Sequence, residues 1–381
     1  MAARVGMGAI AVVLGVASGV QGASFQEEYG PSSGCGQPPP YEPSNPRQSA
    51  YFQESFNGLQ RGYLMHLPTT YDQNRPTPLV ISFHGWSMSS QSNWDWMGFQ
   101  ENIEQENYIT IFPDGIRDCL GQSQCWSSWN AMGASFNGPN GPAGWTCQAG
   151  TANSQACATS CQPLGFCNSQ NARNCNWATC VDDSSFVDQL LDRLEAVLCV
   201  DRARVFASGE SMGGMMAFEV GHTLARRFAA VAPTVAAPHV GFTSVPSTNE
   251  QISLLSLWAV RDSTIPPGGG ASDDGWLWTS VAQYTAQWGT FNGCSGGSSA
   301  WPNPVGSGPG GTQLNCIRRQ GQCSSPGTDV IDCSFNGNHF TSINSFFGRL
   351  AWFFFETHPK TETWYNATKL KAGSNSTAGR H

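Results

Sequence analysis

Short, almost wholly apolar runs alternate along this chain with stretches where apolar side chains recur every three or four positions. Pro78–Phe83, Tyr108–Phe112, Val205–Ala207, Phe228–Ala237 and Ser253–Val260 are runs of the first kind. Apolar on both faces, they predict buried strands. Gly62–Leu67, Leu314–Arg318 and Asp329–Phe335 are shorter strand candidates. Asp182–Leu198 is the clearest run of the second kind. Phe186, Leu190, Leu191, Leu194 and Leu198 fall on one face, and acids cluster at its start, as in an amphipathic helix. Asp95–Glu106, Trp278–Trp288 and Phe346–Glu356 are further helix candidates, as is the segment carrying Met215, Met216, Val220 and Leu224. Strands alternating with helices predict an α/β fold, with a mainly parallel central sheet covered by helices on both faces.

The alternation fails between Arg117 and Cys180. That stretch is rich in Gly, Asn, Ser and Cys and carries Trp126, Trp129, Trp145 and Trp177. Its length without periodicity predicts a functional excursion from the sheet, stapled by disulfides. The expected organisation is one domain over residues 23–359, with 117–180 as the excursion. Ser24–Arg47 reads as irregular chain tied down by Cys35. Residues 1–22 read as a secretory signal: an early Arg4, an apolar run from Val5 to Val20, then small residues near a cut at Gly22–Ala23. That run is shorter than the ~18 residues expected of a membrane span. A secreted, extracellular protein follows as an expectation. Residues 360–381 read as a polar, frayed tail with glycosylation sequons at Asn366 and Asn375.

Export changes how the 14 cysteines are read. They predict disulfides, eight of them falling between Cys119 and Cys180, with the connectivity left open. The spacing of Cys157 and Cys161 would suit a metal, but no histidine lies between His84 and His222, so no metal is expected. A formal net charge of −8 without a Lys/Arg cluster argues against a nucleic-acid partner.

G-x-S-x-G occurs three times, around Ser32, Ser211 and Ser295. Only Ser211 follows a strand run and opens a helical one, the context in which the motif presents a nucleophile. A serine hydroxyl needs a base, and the base an acid, from loops after later strands. Asp262 lies just past the Ser253–Val260 run, ahead of its competitors Asp273 and Asp274; the plainer reading is a turn-forming aspartate. His339 follows the last strand candidate. His222 sits within a helix, His239 precedes the acid, His358 and His381 lie in the tail, and His66 and His84 read as strand and loop residues. The predicted triad is therefore Ser211, His339 and Asp262. Oxyanion donors are expected from the backbone of Met212 and of Gly85 or Trp86. Asp182 and Asp183 suit a helix start better than a glycosidase pair. Trp86, Trp126 and Trp129 are candidate aromatic surfaces for a phenolic acyl group or a sugar.

Phe83–Gly85 (F-H-G), Phe112–Gly115 (F-P-D-G), Asp182–Phe186 (D-D-x-x-F), Cys199–Val205 (C-V-D-x-x-R-V), Gly209–Met216 (G-x-S-x-G-G-M-M), Asp262–Pro266 (D-x-x-I-P), Trp288–Cys294 (W-x-x-x-N-G-C) and Gly337–His339 (G-N-H) together resemble secreted carbohydrate esterases of family one. The combination is similar to feruloyl esterases and the related polyhydroxybutyrate depolymerases. The resemblance runs from about Cys35 to His358. It implies an α/β-hydrolase fold, no cofactor, and hydrolysis of esters on plant cell-wall polysaccharide through an acyl-enzyme. The alternatives it leaves are polyhydroxybutyrate depolymerase or acetylxylan esterase activity, or a catalytically silent polysaccharide-binding relative.

Overall fold

The computed structural model describes residues 23–120, 124–135, 146–151, 156–164, 175–303, 305–306 and 313–377. The expected signal segment 1–22, Trp145 and residues 378–381 lie outside the described residues. A single ten-stranded sheet organises the chain. Across it the strands run Ala50–Phe56, Leu59–His66, Ile109–Pro113, Thr77–Phe83, Val200–Glu210, Ala230–Thr234, Ser253–Ala259, Val330–Phe335, Asn315–Arg318 and Ser299–Ala300. The six from Ile109–Pro113 to Val330–Phe335 are parallel, and antiparallel strands flank them on each side.

Period-two alternation divides the central strands between two cores. In Thr77–Phe83, Leu79, Ile81 and Phe83 join one core and Val80 the other. Val205 and Ala207 likewise oppose Phe206. Helices Asp183–Val197 and Met212–Thr223 cover the first face, and Phe347–Glu356 the second. Asp182 caps its helix by accepting from Ser185 N at 2.9 Å. Asp183 is buried against Arg61 at 2.8 Å, and Arg61 in turn lies over Phe186. That pair has a structural task, as expected.

Ser24–Arg47, expected to be irregular, opens with a short helix at Phe25–Tyr29 capped by Ser24, and two further elements differ from the sequence reading. The helix expected over Asp95–Glu106 begins earlier, at Ser90–Met97, and breaks at Gly98, where φ is 73°. A Cβ there would stand 2.0 Å from Asn344 O, so the break is a close approach of two backbones rather than a matter of periodicity. The stretch after Lys360 is also more than a frayed tail. Glu362–Thr377 is helical, with Trp364 and Tyr365 buried against Tyr29. The Lys360 ammonium donates to Ala225 O at 3.0 Å and sits 4.4 Å from the Tyr29 ring centre. Two aromatic residues and a buried cation outweigh the polar composition around them. Asn366 is exposed on this helix; Asn375 belongs to it, but its side chain lies outside the described residues.

In the excursion, Ile116–Leu120 and Gln124–Ser128 form a hairpin closed by Cys119–Cys125. Cys147–Cys175 and Cys161–Cys180 pin the later part of the excursion, and Cys35–Cys199 ties the N-terminal stretch to the sheet. Cys294–Cys323 and Cys316–Cys333 staple the far edge.

Candidate active site

Strand Val200–Glu210 runs directly into helix Met212–Thr223 through one residue, Ser211, held at φ 52° and ψ −122°. A non-glycine residue in that region is strained, and such strain persists only where the surroundings enforce it. Here glycines permit the approach. A Cβ on Gly209 would lie 2.3 Å from Gly213 O, and one on Gly213 would lie 2.0 Å from Phe83 O. Strand, turn and helix can therefore cross only with glycine at both positions. The outcome is a hydroxyl at the C-terminal rim of the sheet and at a helix N-terminus.

The other two predicted side chains reach this rim from adjacent strands. Asp262 lies past Ser253–Ala259 and His339 past Val330–Phe335. His339 Nε2 is 2.9 Å from Ser211 Oγ, and His339 Nδ1 is 2.8 Å from Asp262 Oδ2. Asp262 Oδ1 accepts from Thr264 N at 3.0 Å and Ile265 N at 2.8 Å. The turn-forming and histidine-facing readings of this aspartate thus both hold, one on each oxygen. The two loops are tied together by Arg261, whose N–H donates to Gly337 O and whose guanidinium donates to Asn336 Oδ1. Hydroxyl, imidazole and carboxylate in line are the arrangement that lets an alcohol lose its proton as it attacks a carbonyl.

Among the described residues the remaining histidines are occupied elsewhere. His66 is buried beside Glu104, His222 meets Val245 O, and His239 bonds Leu277 O and the Trp177 indole. His84 shapes the loop after Thr77–Phe83. Its Nδ1 donates to Gly85 O at 2.7 Å, and its Nε2 accepts from Gly115 N at 2.9 Å. Burial pushes it down to about 4, so the ring stays neutral and keeps this donor–acceptor pattern. Met212 is buried at the start of the helix after Ser211, and Gly85 and Trp86 border the cavity in front of it.

That cavity encloses about 630 Å³. Trp86, Trp177, Trp276, Trp278 and Phe340 give it aromatic walls, and the excursion adds Leu120 and Ala156. Of the tryptophans expected to meet substrate, Trp86 lines the cavity. Trp126 packs on Trp86 at 5.0 Å and is partly exposed at the rim. Trp129 does neither. It is fully buried, its indole donating to His84 O at 2.9 Å, so it supports the loop from behind. Sequence reasoning missed Trp276, Trp278, Phe340 and Glu210 as cavity residues. Glu210 was visible inside the motif itself, but nothing in the motif says which way the side chain before the serine points.

Six parallel strands between helices, with a strained serine turn at their C-terminal rim, define an α/β-hydrolase. No family model matches the chain. Its sequence is 25% identical over 314 residues to a probable feruloyl esterase C of Aspergillus clavatus, covering 81% of this chain and 82% of that protein. It is 24% identical to feruloyl esterase C of Emericella nidulans, covering 65% and 79%. It is 28% identical to feruloyl esterase D of Neurospora crassa, covering 53% and 52%. Among solved structures, an acetyl xylan esterase from Aspergillus awamori aligns at 14% identity and TM-score 0.47, over 81% of this chain and 99% of that one. The chain is a carboxylic-ester hydrolase, similar in sequence to feruloyl esterases. No helix among the described residues is long and apolar enough to cross a membrane.

Proposed function

We propose that this esterase is secreted and releases hydroxycinnamic acids from plant cell-wall polysaccharide, with Ser211 as nucleophile, His339 as base and Asp262 as its orienting acid. The observation that carries the reading is the unbroken hydrogen-bonded line from Ser211 through His339 to Asp262 on the floor of an aromatic cavity. His339 Nε2 takes the Ser211 proton as Oγ attacks the ester carbonyl, and Asp262 stabilises the imidazolium through Nδ1–H. The N–H groups of Met212 and of the Gly85–Trp86 loop receive the developing oxyanion, a donor worth about 10²- to 10³-fold in rate each. His339 returns the proton to the departing alcohol, which leaves the acyl group on Ser211. Water, activated by the same imidazole, then frees the acid.

The walls favour an aromatic acyl group over acetyl or hydroxybutyryl. Flat indole faces reward a ring that buries ~150–250 Å², whereas an acetyl group would leave most of the space unfilled. On methyl ferulate, p-nitrophenyl acetate and short polyhydroxybutyrate, the expected order of kcat/KM puts methyl ferulate first. Ser211→Ala is expected to abolish turnover and covalent labelling by a fluorophosphonate together. A variant that kept full activity would overturn the mechanism, and a wild-type protein that neither takes the label nor hydrolyses any of these esters would favour a binding role.

A further inference from the structure

Glu210 ends the strand that delivers Ser211, yet it takes no part in the transfer of protons along the triad. Its side chain is 5% exposed, it borders the cavity, and its Oε1 has no hydrogen-bond partner among the described residues. A Cβ on Gly85 would stand 3.6 Å from this Oε1 and equally 3.6 Å from the Ser211 Cβ. The carboxyl oxygen and the nucleophile's Cβ therefore both lie close to the same point of the loop assigned to the oxyanion. A buried oxygen left without a partner is costly unless something arrives to satisfy it.

The surroundings settle what form it takes. From the loop after Val330–Phe335 comes His339, backed by Asp262, and across the cavity stands Asp274. Beneath Gly85 lies His84, with both ring nitrogens engaged. Helix Ser90–Met97 presents only the neutral Trp96, and no Lys or Arg is among the described residues that line the cavity. Burial without a cation pushes the Glu210 carboxyl up to about 8, the Trp96 indole drawing it partly back.

Resting on the assignment of Ser211, we propose that Glu210 is a substrate-binding residue of this esterase, its carboxyl donating a hydrogen bond to an oxygen of the ester bound beside Ser211. Below about pH 8 the carboxyl is neutral and carries the O–H that the substrate oxygen accepts. As pH rises through that value the proton is lost. The donor vanishes, and an unpaired negative charge stands beside the developing oxyanion. The esterase thus carries its own alkaline limit.

The test uses methyl cinnamate, which has no ionisable group, and compares each enzyme with itself at pH 7 and pH 9. The wild type is expected to lose about tenfold in kcat/KM over that interval, as a group titrating near 8 dictates. Glu210→Gln, which keeps the shape and an N–H donor but cannot ionise, is expected to hold its value. Glu210→Leu, with no donor, is expected to be flat with pH and at least tenfold below Glu210→Gln. Superimposable wild-type and Glu210→Gln profiles would overturn the proposal, as would a Glu210→Leu enzyme as fast as Glu210→Gln. Fluorophosphonate labelling of each variant separates the two readings: labelled Ser211 with superimposable profiles removes the role of Glu210 and leaves the nucleophile standing.

Discussion

Replacing Asp262 by Asn tests the proposed mechanism more sharply than removing the side chain altogether. Asp262 Oδ1 is committed to two backbone donors, Thr264 N at 3.0 Å and Ile265 N at 2.8 Å, and Oδ2 faces His339 Nδ1 at 2.8 Å. In Asp262→Asn the amide has one acceptor, and the turn claims it. The NH₂ group is then forced toward His339, whose Nδ1 must become the acceptor. The imidazole proton moves to Nε2, the nitrogen facing Ser211, and the base can no longer accept. A wrong tautomer of this kind costs about 10⁴-fold in kcat in a serine triad. Because the turn bonds survive, the melting temperature should hardly change. Asp262→Ala makes the opposite trade. His339 is free to choose its tautomer, so activity should exceed that of the Asn variant. The buried Ile265 N–H loses its acceptor, however, at about 1–3 kcal/mol, and the half-buried Thr264 N–H loses its acceptor at a smaller cost. The assay is kcat on methyl ferulate beside thermal unfolding for both variants. An Asn variant within tenfold of wild type, or an Ala variant that is both slower and more stable than Asn, would refute the argument.

Two further substitutions probe the scaffold. Gly213→Ala would put a methyl group 2.0 Å from Phe83 O and 2.6 Å from His84 O, both backbone atoms that cannot swing aside. The expected result is a loss of about 1–3 kcal/mol, read by denaturant unfolding, together with lost fluorophosphonate labelling as the serine turn is pushed off the sheet. Glu219 is buried in helix Met212–Thr223, accepting from Met132 N at 3.0 Å, and burial pushes it up to about 8. Its folded-state pKa exceeds the unfolded one, so the folded chain holds a proton that the unfolded chain releases. The stabilisation from that proton is complete below pH ~4.5 and is lost as pH rises toward 8. Glu219→Gln should therefore flatten the fall in melting temperature across this window, and parallel wild-type and variant curves would contradict it.

How much of this was legible in the sequence depends on how locally each feature is determined. The central strands were readable because burial on both faces leaves little room for polar residues, as in Thr77–Phe83 and Ser253–Ala259. Helix Asp183–Val197 announced itself through one apolar stripe and an aspartate cap. The Ser211 turn was readable because its glycines answer a steric demand between elements adjacent in the chain. Asp262 and His339 were readable by order along the chain, since parallel strands deliver their following loops to one rim. What escaped depends on partners distant in sequence. The break at Gly98 answers Asn344, the burial of Trp129 answers His84, and the helix after Lys360 is held by Tyr29. No window of neighbouring residues contains those contacts.

The excursion shows why chemistry and selectivity were unequally legible. The proposed nucleophile, base and acid all stand on loops that leave sheet strands, so the sheet itself fixes their separation. Part of the cavity wall does not share that frame. Leu120, Ala156 and Trp177 come from chain with few regular hydrogen-bonded elements, where backbone order must be supplied some other way. Cys119–Cys125, Cys147–Cys175 and Cys161–Cys180 close short loops around these residues, removing conformations from the unfolded chain that the folded wall would otherwise forfeit. A substituted wall residue can therefore reshape the cavity without displacing Ser211, because the two depend on different supports. Acyl preference in this esterase should accordingly be easier to alter than its capacity for hydrolysis, substitutions at Leu120, Ala156 and Trp177 changing it while Ser211 still takes a fluorophosphonate label.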